Sequence, residues 1–287
     1  MITTEITGHV RVPSPTPPPT PTLPPAPVPA DPAPDPAPDS VLAKVRLILE
    51  AFHPDEEGVA LAALVRRTGL SKATVHRLSQ ELVAWGMLER AGSGYRLGLR
   101  LFELGQIAPR QRVLHEVALP FLEELAHTTH ETVHCAVRDG AEVLYIEKLG
   151  GHRSVAQPSR TGGRMPLHCT ATGRVLLAHA PSRFAEDLLT GPLHKLTGHT
   201  LTAPRLLRAE LGRVRAQGFA LESEETRVGY LSVAAPVRGA HHRVAGAISV
   251  TAPISRTRLD RLIPSVQLTA EWISQRLNAY ELDREQR

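Results

Sequence analysis

Apolar residues in "VLAKVRLILEAF" recur at helical spacing, with Val41, Val45, Ile48, Leu49 and Phe52 forming one stripe. Ser40 stands before them as a candidate N-cap. "VALAALVRRTG" repeats the pattern through Leu61, Leu64 and Val65, and Gly69 ends it. A third helix is predicted from a cap at Ser71 to about Trp85, with Val75, Leu78 and Leu82 facing inward. The period then changes to alternation in "LERAGSGYRLGLR" around Ala91-Gly92-Ser93-Gly94, which predicts a β-hairpin. Three helices and a hairpin make residues 40–100 a small domain.

Residues 101–112 read as a linker helix opening on "LFELGQ". "RVLHEVALPFLEELAHTT" keeps the helical period, and Pro120 inside it is expected to kink the helix or start a new one. "TVHCAV" and "EVLYIEKL" are predicted strands joined by a turn at Asp139-Gly140. A loop, "SRTGGRMPLHC", leads into a helix, "TATGRVLLAHA", with Thr170 as its N-cap. Helices over roughly 181–189 and 203–217, three strands in "FALESEE", "YLSVAAPV" and "RVAGAISVTA", and a helix from about Arg256 to Leu282 complete the pattern. Residues 113–287 thus read as a mixed α+β domain. Residues 1–39 hold 14 of the 25 prolines and read as a Pro-rich disordered tail, either a tether or a docking site for a proline-reading partner.

The outward side of the third helix carries the first candidate chemistry. Lys72, Ala73, His76, Arg77 and Gln80 point away from the core stripe. Small residues permit close approach to a DNA major groove, while Ser71, Thr74 and the helix N-terminus can reach phosphates. Arg77 can bond a guanine edge, and Lys72 a base or a phosphate. Gly69 sits where two helices of a helix-turn-helix reverse, and the hairpin adds a wing with Arg90, Arg96 and Arg100. A solvated basic face, or a protein-binding winged module, is the plainer alternative.

Composition narrows the class. Of 287 residues 42% are hydrophobic and only 4% aromatic, so the core rests on aliphatic side chains. The net charge of +4, with 14 histidines, suits a polyanionic partner without requiring one. Two cysteines, Cys135 and Cys169, fit a reducing compartment, and neither a membrane span nor a signal peptide is recognised, so a cytoplasmic protein is expected.

"LAALVRRTGLSKATVHRLSQELVAWGMLER" together with "PLHCTATGRVLLA", "ESEETRVGYLSVAAPV" and "AGAISVTAPISR" resembles IclR-type bacterial transcriptional regulators over about residues 40–282. The resemblance implies a winged helix-turn-helix, a linker helix and a GAF-like effector domain. It also implies a homodimer or homotetramer on a palindromic operator in double-stranded DNA, modulated by a small-molecule effector. Val65 departs from the alanine usual at its place. Carried over by position, the effector contacts fall on Ala171 and Thr172 at the helix start, Glu222, Tyr230 and Ser232 on the next strand pair, and Ser249 and Thr251 on the last strand. Met165 and Leu167 would form an apolar wall. Ser232 stands where some relatives have cysteine and Glu222 where some have aspartate; the longer carboxylate narrows the pocket and repels an anion. For each residue, core packing or strand-face exposure is the alternative.

From the residues themselves, unpaired amides at Ala171, Thr172 and Gly173 favour an anion, with Arg160 and Arg164 just before them, so a small carboxylate is the leading effector class. Tyr230 could favour an aromatic acid. His134-Cys135 with His168-Cys169 could offer zinc ligands, but neighbouring strand residues face opposite ways. No nucleophile signature or dinucleotide or phosphate-loop motif is found. A ligand-responsive DNA-binding regulator, not an enzyme, without cofactor or metal, is therefore expected; the alternative is a GAF-like domain with metal or cysteine chemistry and a winged module for docking.

Overall fold

A computed structural model describes residues 40–54, 56–150 and 159–285. The Pro-rich tail at 1–39 lies outside them. The chain divides between Leu101 and Phe102 into two compact units.

In the N-terminal unit, α1 (Val41–Glu50), α2 (Leu61–Thr68) and α3 (Lys72–Ala84) surround Ile48, Leu64, Val75 and Leu78, all essentially without solvent exposure. The α1 stripe is only partly covered: Ile48 is buried, whereas Val41 remains 54% exposed. Ser40 holds the N-cap position of α1, but its hydroxyl makes no capping bond. Gly69 closes α2 at φ +68°, a left-handed conformation that glycine adopts without a Cβ penalty. Strands β2 (Leu88–Ala91) and β3 (Gly94–Leu97) pair antiparallel as the wing. A further strand, β1 (Val59–Ala60), joins the other edge of β3; at two residues it is too short to show alternation.

Residues 101–112 do not form one helix. Helix α4 (Leu99–Gln106) ends before Ile107 and Ala108, and Pro109 opens α5 (Pro109–Thr129) at its first turn, where its missing N–H costs nothing. Pro120 lies inside α5 without dividing it.

The C-terminal unit is built on a six-stranded antiparallel sheet. Its strands are β4 (Thr132–Asp139), β5 (Glu142–Leu149), β6 (Arg164–Pro166), β7 (Ala220–Ser223), β8 (Tyr230–Arg238) and β9 (Val244–Pro253), in the order β6-β5-β4-β9-β8-β7. Alternation sorts the side chains. Val133, Cys135 and Val137, with Val233, Ala235, Ile248 and Val250, pack on α5 and α9 (Leu259–Glu285). Ala136, Ala234 and Ala247 face α6 (Ala171–Ala178) and α8 (Pro204–Gln217) on the other side, with α7 (Ser182–Thr190) packed against α8. Strand β6, within the predicted loop, extends the sheet beside β5.

Ile248 sits in the middle of the α5–α9 face with no exposure. Ile248→Ala should cost about 2–5 kcal/mol by urea unfolding of the C-terminal unit. A loss under about 1 kcal/mol would contradict close packing there.

Candidate functional site

On α3, Ser71 caps the helix: its hydroxyl accepts the Thr74 N–H at 3.2 Å and lies 2.9 Å from the Thr74 hydroxyl. Ser71, Lys72, Ala73, His76 and Arg77 are exposed, as a groove-facing surface needs, and Thr74 is half-buried beside the cap. Arg77 donates to Glu81 one turn on at 2.6 Å, an exposed pair that costs little to exchange for a nucleic acid. Gln80 differs from expectation. It is half-buried and its amide donates to the Tyr95 hydroxyl at 3.2 Å, so it braces α3 on the wing instead of standing free. In the wing, the Arg90 guanidinium lies 4.6 Å over the Tyr95 ring, and Arg96 pairs with Glu89 across the strands at 2.7 Å. Both remain exposed.

The second site lies where α6 begins. Thr170 caps this helix by accepting the Gly173 N–H at 3.0 Å, leaving the Ala171 and Thr172 amides at its open end. A Cβ at Gly173 would overlap the Leu167 carbonyl oxygen and the Thr170 hydroxyl, so only glycine lets the chain enter the helix this tightly. Beneath that end the sheet turns polar. Glu222, Ser232 and Thr251 stand in register across β7, β8 and β9, and Ser249 faces His134 across β9 and β4. With Tyr145, Ser159, Met165 and Thr226 they enclose a narrow cavity of about 30 Å³.

Its groups are nearly all neutral donors and acceptors. The Ser232 and Thr251 hydroxyls are 2.9 Å apart. Burial drives the His134 imidazole down to about 3, so it is uncharged; its Nε2 meets the Ser159 hydroxyl at 2.8 Å. Its Nδ1 is buried without a partner. Thr172 Oγ1 is likewise buried and unpartnered: it lies close enough to Tyr145 to favour the phenolate slightly, yet outside hydrogen-bond geometry. Burial nevertheless pushes the Tyr145 phenol up to about 12, which keeps it a donor. Among the described residues Glu222 is the one carboxylate lining the cavity; its Oε1 accepts the N–H groups of Glu225 at 2.6 Å and Thr226 at 3.0 Å.

One expected wall residue, Leu167, and one expected contact, Tyr230, lie outside this lining. Leu167 is fully buried in the core with Val175 and Leu177, and Tyr230, the first residue of β8, is half-exposed with Arg227 4.6 Å over its ring. The cations expected before α6 are also absent from the lining: Arg164, the first residue of β6, is paired with Asp139 and Glu142, and Arg160 is exposed. Tyr145, Ser159 and Thr226 complete the cavity without a sequence signal, and His134, weighed in the sequence only as a zinc ligand, joins them. Alternation alone puts His134 on the face opposite Cys135, which was the available signal. Cys135 packs against α5 and α9, Cys169 is buried, and burial raises both thiols to about 12, making them poor nucleophiles. Among the described residues no three His, Cys, Asp or Glu side chains gather to hold a metal, and no helix is long and apolar enough to cross a membrane.

A helix-turn-helix with a wing, and a sheet domain with a polar hollow beneath a helix start, define a two-part regulator. Residues 41–92 match the IclR helix-turn-helix domain, and residues 108–275 match the bacterial transcriptional regulator IclR C-terminal domain. The chain belongs to the IclR family of bacterial, DNA-binding transcriptional regulators. It is similar to the HTH-type transcriptional regulator XynR of Escherichia coli, 34% identical over 212 residues that span 73% of this chain and 84% of the relative. The HTH-type transcriptional regulator KdgR of Escherichia coli is 32% identical over 84% of this chain and 94% of its own. Among solved structures, an IclR homolog from Microbacterium hydrocarbonoxydans complexed with 4-hydroxybenzoate superposes with a TM-score of 0.79 at 32% identity, covering 84% of this chain and 100% of that one.

Burial raises the Glu222 carboxyl from 4.5 to about 6, so the folded chain holds this proton more tightly than the unfolded chain. The associated stability is present below about pH 4.5 and is lost as pH rises through about 6. Glu222→Gln should therefore raise the melting temperature at pH 7.5 by the equivalent of about 2 kcal/mol, with the difference closing in acid. A difference that stays constant with pH would show that this proton is not linked to folding.

Proposed function

We propose that the cavity beneath α6 takes a small carboxylate or aromatic acid, and that its occupancy sets how two copies of α3 engage a palindromic operator. The observation that carries this reading is the meeting of two unpartnered buried atoms, Thr172 Oγ1 and His134 Nδ1, with the open amides of Ala171 and Thr172. Such atoms are costly unless a ligand supplies their missing bonds. A helix N-terminus favours the carboxylate end. Tyr145 and the Ser232–Thr251 pair suit a ligand hydroxyl further in, and the 4-hydroxybenzoate bound by the Microbacterium relative has both groups. At about 30 Å³ the cavity is far smaller than the roughly 300–1,000 Å³ of a ligand pocket, so binding must part its walls. That movement gives the effector its preference for one state over another.

The DNA contacts in this reading come from Ser71, Lys72, Ala73, Thr74, His76 and Arg77, with Arg90 and Arg96 along the backbone. Gln80 acts through Tyr95. A homodimer or homotetramer brings two such helices to half-sites about one DNA turn, ~34 Å, apart. The exposed apolar residues Val41, Leu42, Leu99, Phe102 and Ile107 offer surface for that association.

Fluorescence anisotropy on DNA from upstream of the protein's own gene tests both halves. Lys72→Ala should weaken binding to all sequences and lower the salt slope by about 1, whereas Arg77→Ala should cost about 1–3 kcal/mol on the operator alone. Ser232→Leu should abolish the response to 4-hydroxybenzoate with DNA affinity intact. Equal loss of affinity and response in Ser232→Leu would make Ser232 a folding residue, and binding without sequence preference would contradict the regulator reading.

A further inference from the structure

A second cavity, of about 600 Å³, lies at the other end of α6, where His179 and Ala180 follow the helix. Four arginines from three elements line it: Arg208 and Arg215 on α8, Arg238 at the end of β8, and Arg243 in the β8–β9 turn. Glu186 is the one carboxylate in its lining among the described residues, and Arg208 occupies it at 2.7 Å. Among the described residues the other three guanidiniums form no ion pair with a carboxylate. Arg215 donates to the Ala178 carbonyl at 3.0 Å. Arg238 donates to the His242 carbonyl at 3.3 Å and to His179 Nε2 at 3.1 Å. The Arg243 side chain has no ion pair or hydrogen bond among the described residues, and it is exposed.

The surrounding groups are built to keep those charges in place. His179 Nδ1 lies 2.9 Å from the Val175 carbonyl, which makes it the protonated nitrogen and leaves Nε2 to accept from Arg238. Burial and the neighbouring Arg238 and Arg215 hold this imidazole neutral. The turn carrying Arg243 is unusual: His241 and His242 have φ of +56° and +58°, a region that residues with side chains rarely adopt. It is fixed by the Gly239 N–H to the Arg243 carbonyl at 2.8 Å, the Ala240 N–H to Glu281 at 2.5 Å, and the Arg238 N–H to the Ser274 hydroxyl at 2.9 Å. Strained backbone held by its neighbours collects at functional sites.

We propose that this cavity binds a phosphoryl group, free or carried by a small metabolite, at a site separate from the carboxylate cavity. Guanidinium forks match the oxygens of a phosphate, and forks arriving from α8, β8 and the turn can share one dianion. The volume leaves room for a small organic body beside it. The inference does not depend on the effector reading, because no residue lines both cavities.

Isothermal titration of the full chain with inorganic phosphate, glucose 6-phosphate, citrate and chloride at matched ionic strength tests it. The expected result is saturable binding of phosphate or the sugar phosphate with a Kd below about 1 mM. Tighter binding of the sugar phosphate would assign a phosphorylated metabolite, and equal binding the phosphoryl group alone. Arg243→Gln, at an exposed residue with no partner to lose, should keep the unliganded melting temperature and weaken binding at least about fivefold. Thr172→Val should leave it unchanged. No saturable binding above chloride, tighter binding of citrate, or full binding by Arg243→Gln would overturn the proposal.

Discussion

The start of α6 is pinned to the sheet by a buried ion pair. Arg174, 3% exposed at its side chain, meets Glu225 at 2.6 Å and donates to the carbonyls of His168 and Leu221. Glu225 also accepts the Leu201 N–H at 2.7 Å, while its own N–H is accepted by Glu222. One side chain on α6 thereby fixes the loop after β7 and, through it, the carboxylate inside the cavity. Such a pair adds little net stability, since desolvation offsets much of its attraction; removing one partner would strand a charge. Its effect here is to hold an arrangement in which two buried atoms, His134 Nδ1 and Thr172 Oγ1, lack partners.

Both proposed contact surfaces present a helix N-terminus capped by a hydroxyl, from Ser71 on α3 and Thr170 on α6. On α3 the cap is exposed and flanked by cations, which fits a long polyanion whose contacts are mostly electrostatic. On α6 the cap is buried and flanked by neutral groups, which fits one small carboxylate that must give up water. The buried Glu222 works against an anion only when ionised, and burial raises its pKa. At about 6 that pKa still leaves the carboxylate ionised at neutral pH, so an acidic ligand meets less repulsion only in mild acid.

The pattern of elements was legible because alternation and helical period are local. The turn at Gly69, the caps at Ser71 and Thr170, and the hairpin at Gly140 are short-range chemistry and lie where spacing puts them. Strands β1 and β6, of two and three residues, exist only through pairing with distant partners and left no periodic trace. The same distinction separates the cavity residues. Ser232, Ser249 and Thr251 follow from strand faces and family position, but Tyr145 and Ser159 enter from elements whose approach no local rule gives. Tyr230 shares the parity of Ser232 yet lies at the strand's first residue, outside the lining. The Gln80 bond to Tyr95 has no local signal, because its partner is 15 residues away in the wing.

Backbone amide shifts offer the most direct view of the carboxylate end of the cavity. With alanine and threonine amides labelled, titration by 4-hydroxybenzoate should move Ala171 and Thr172 furthest, downfield as each N–H gains an anionic acceptor. Saturating binding that left these two amides in place would mean that the acid is held elsewhere and that α6 does not present the ligand site.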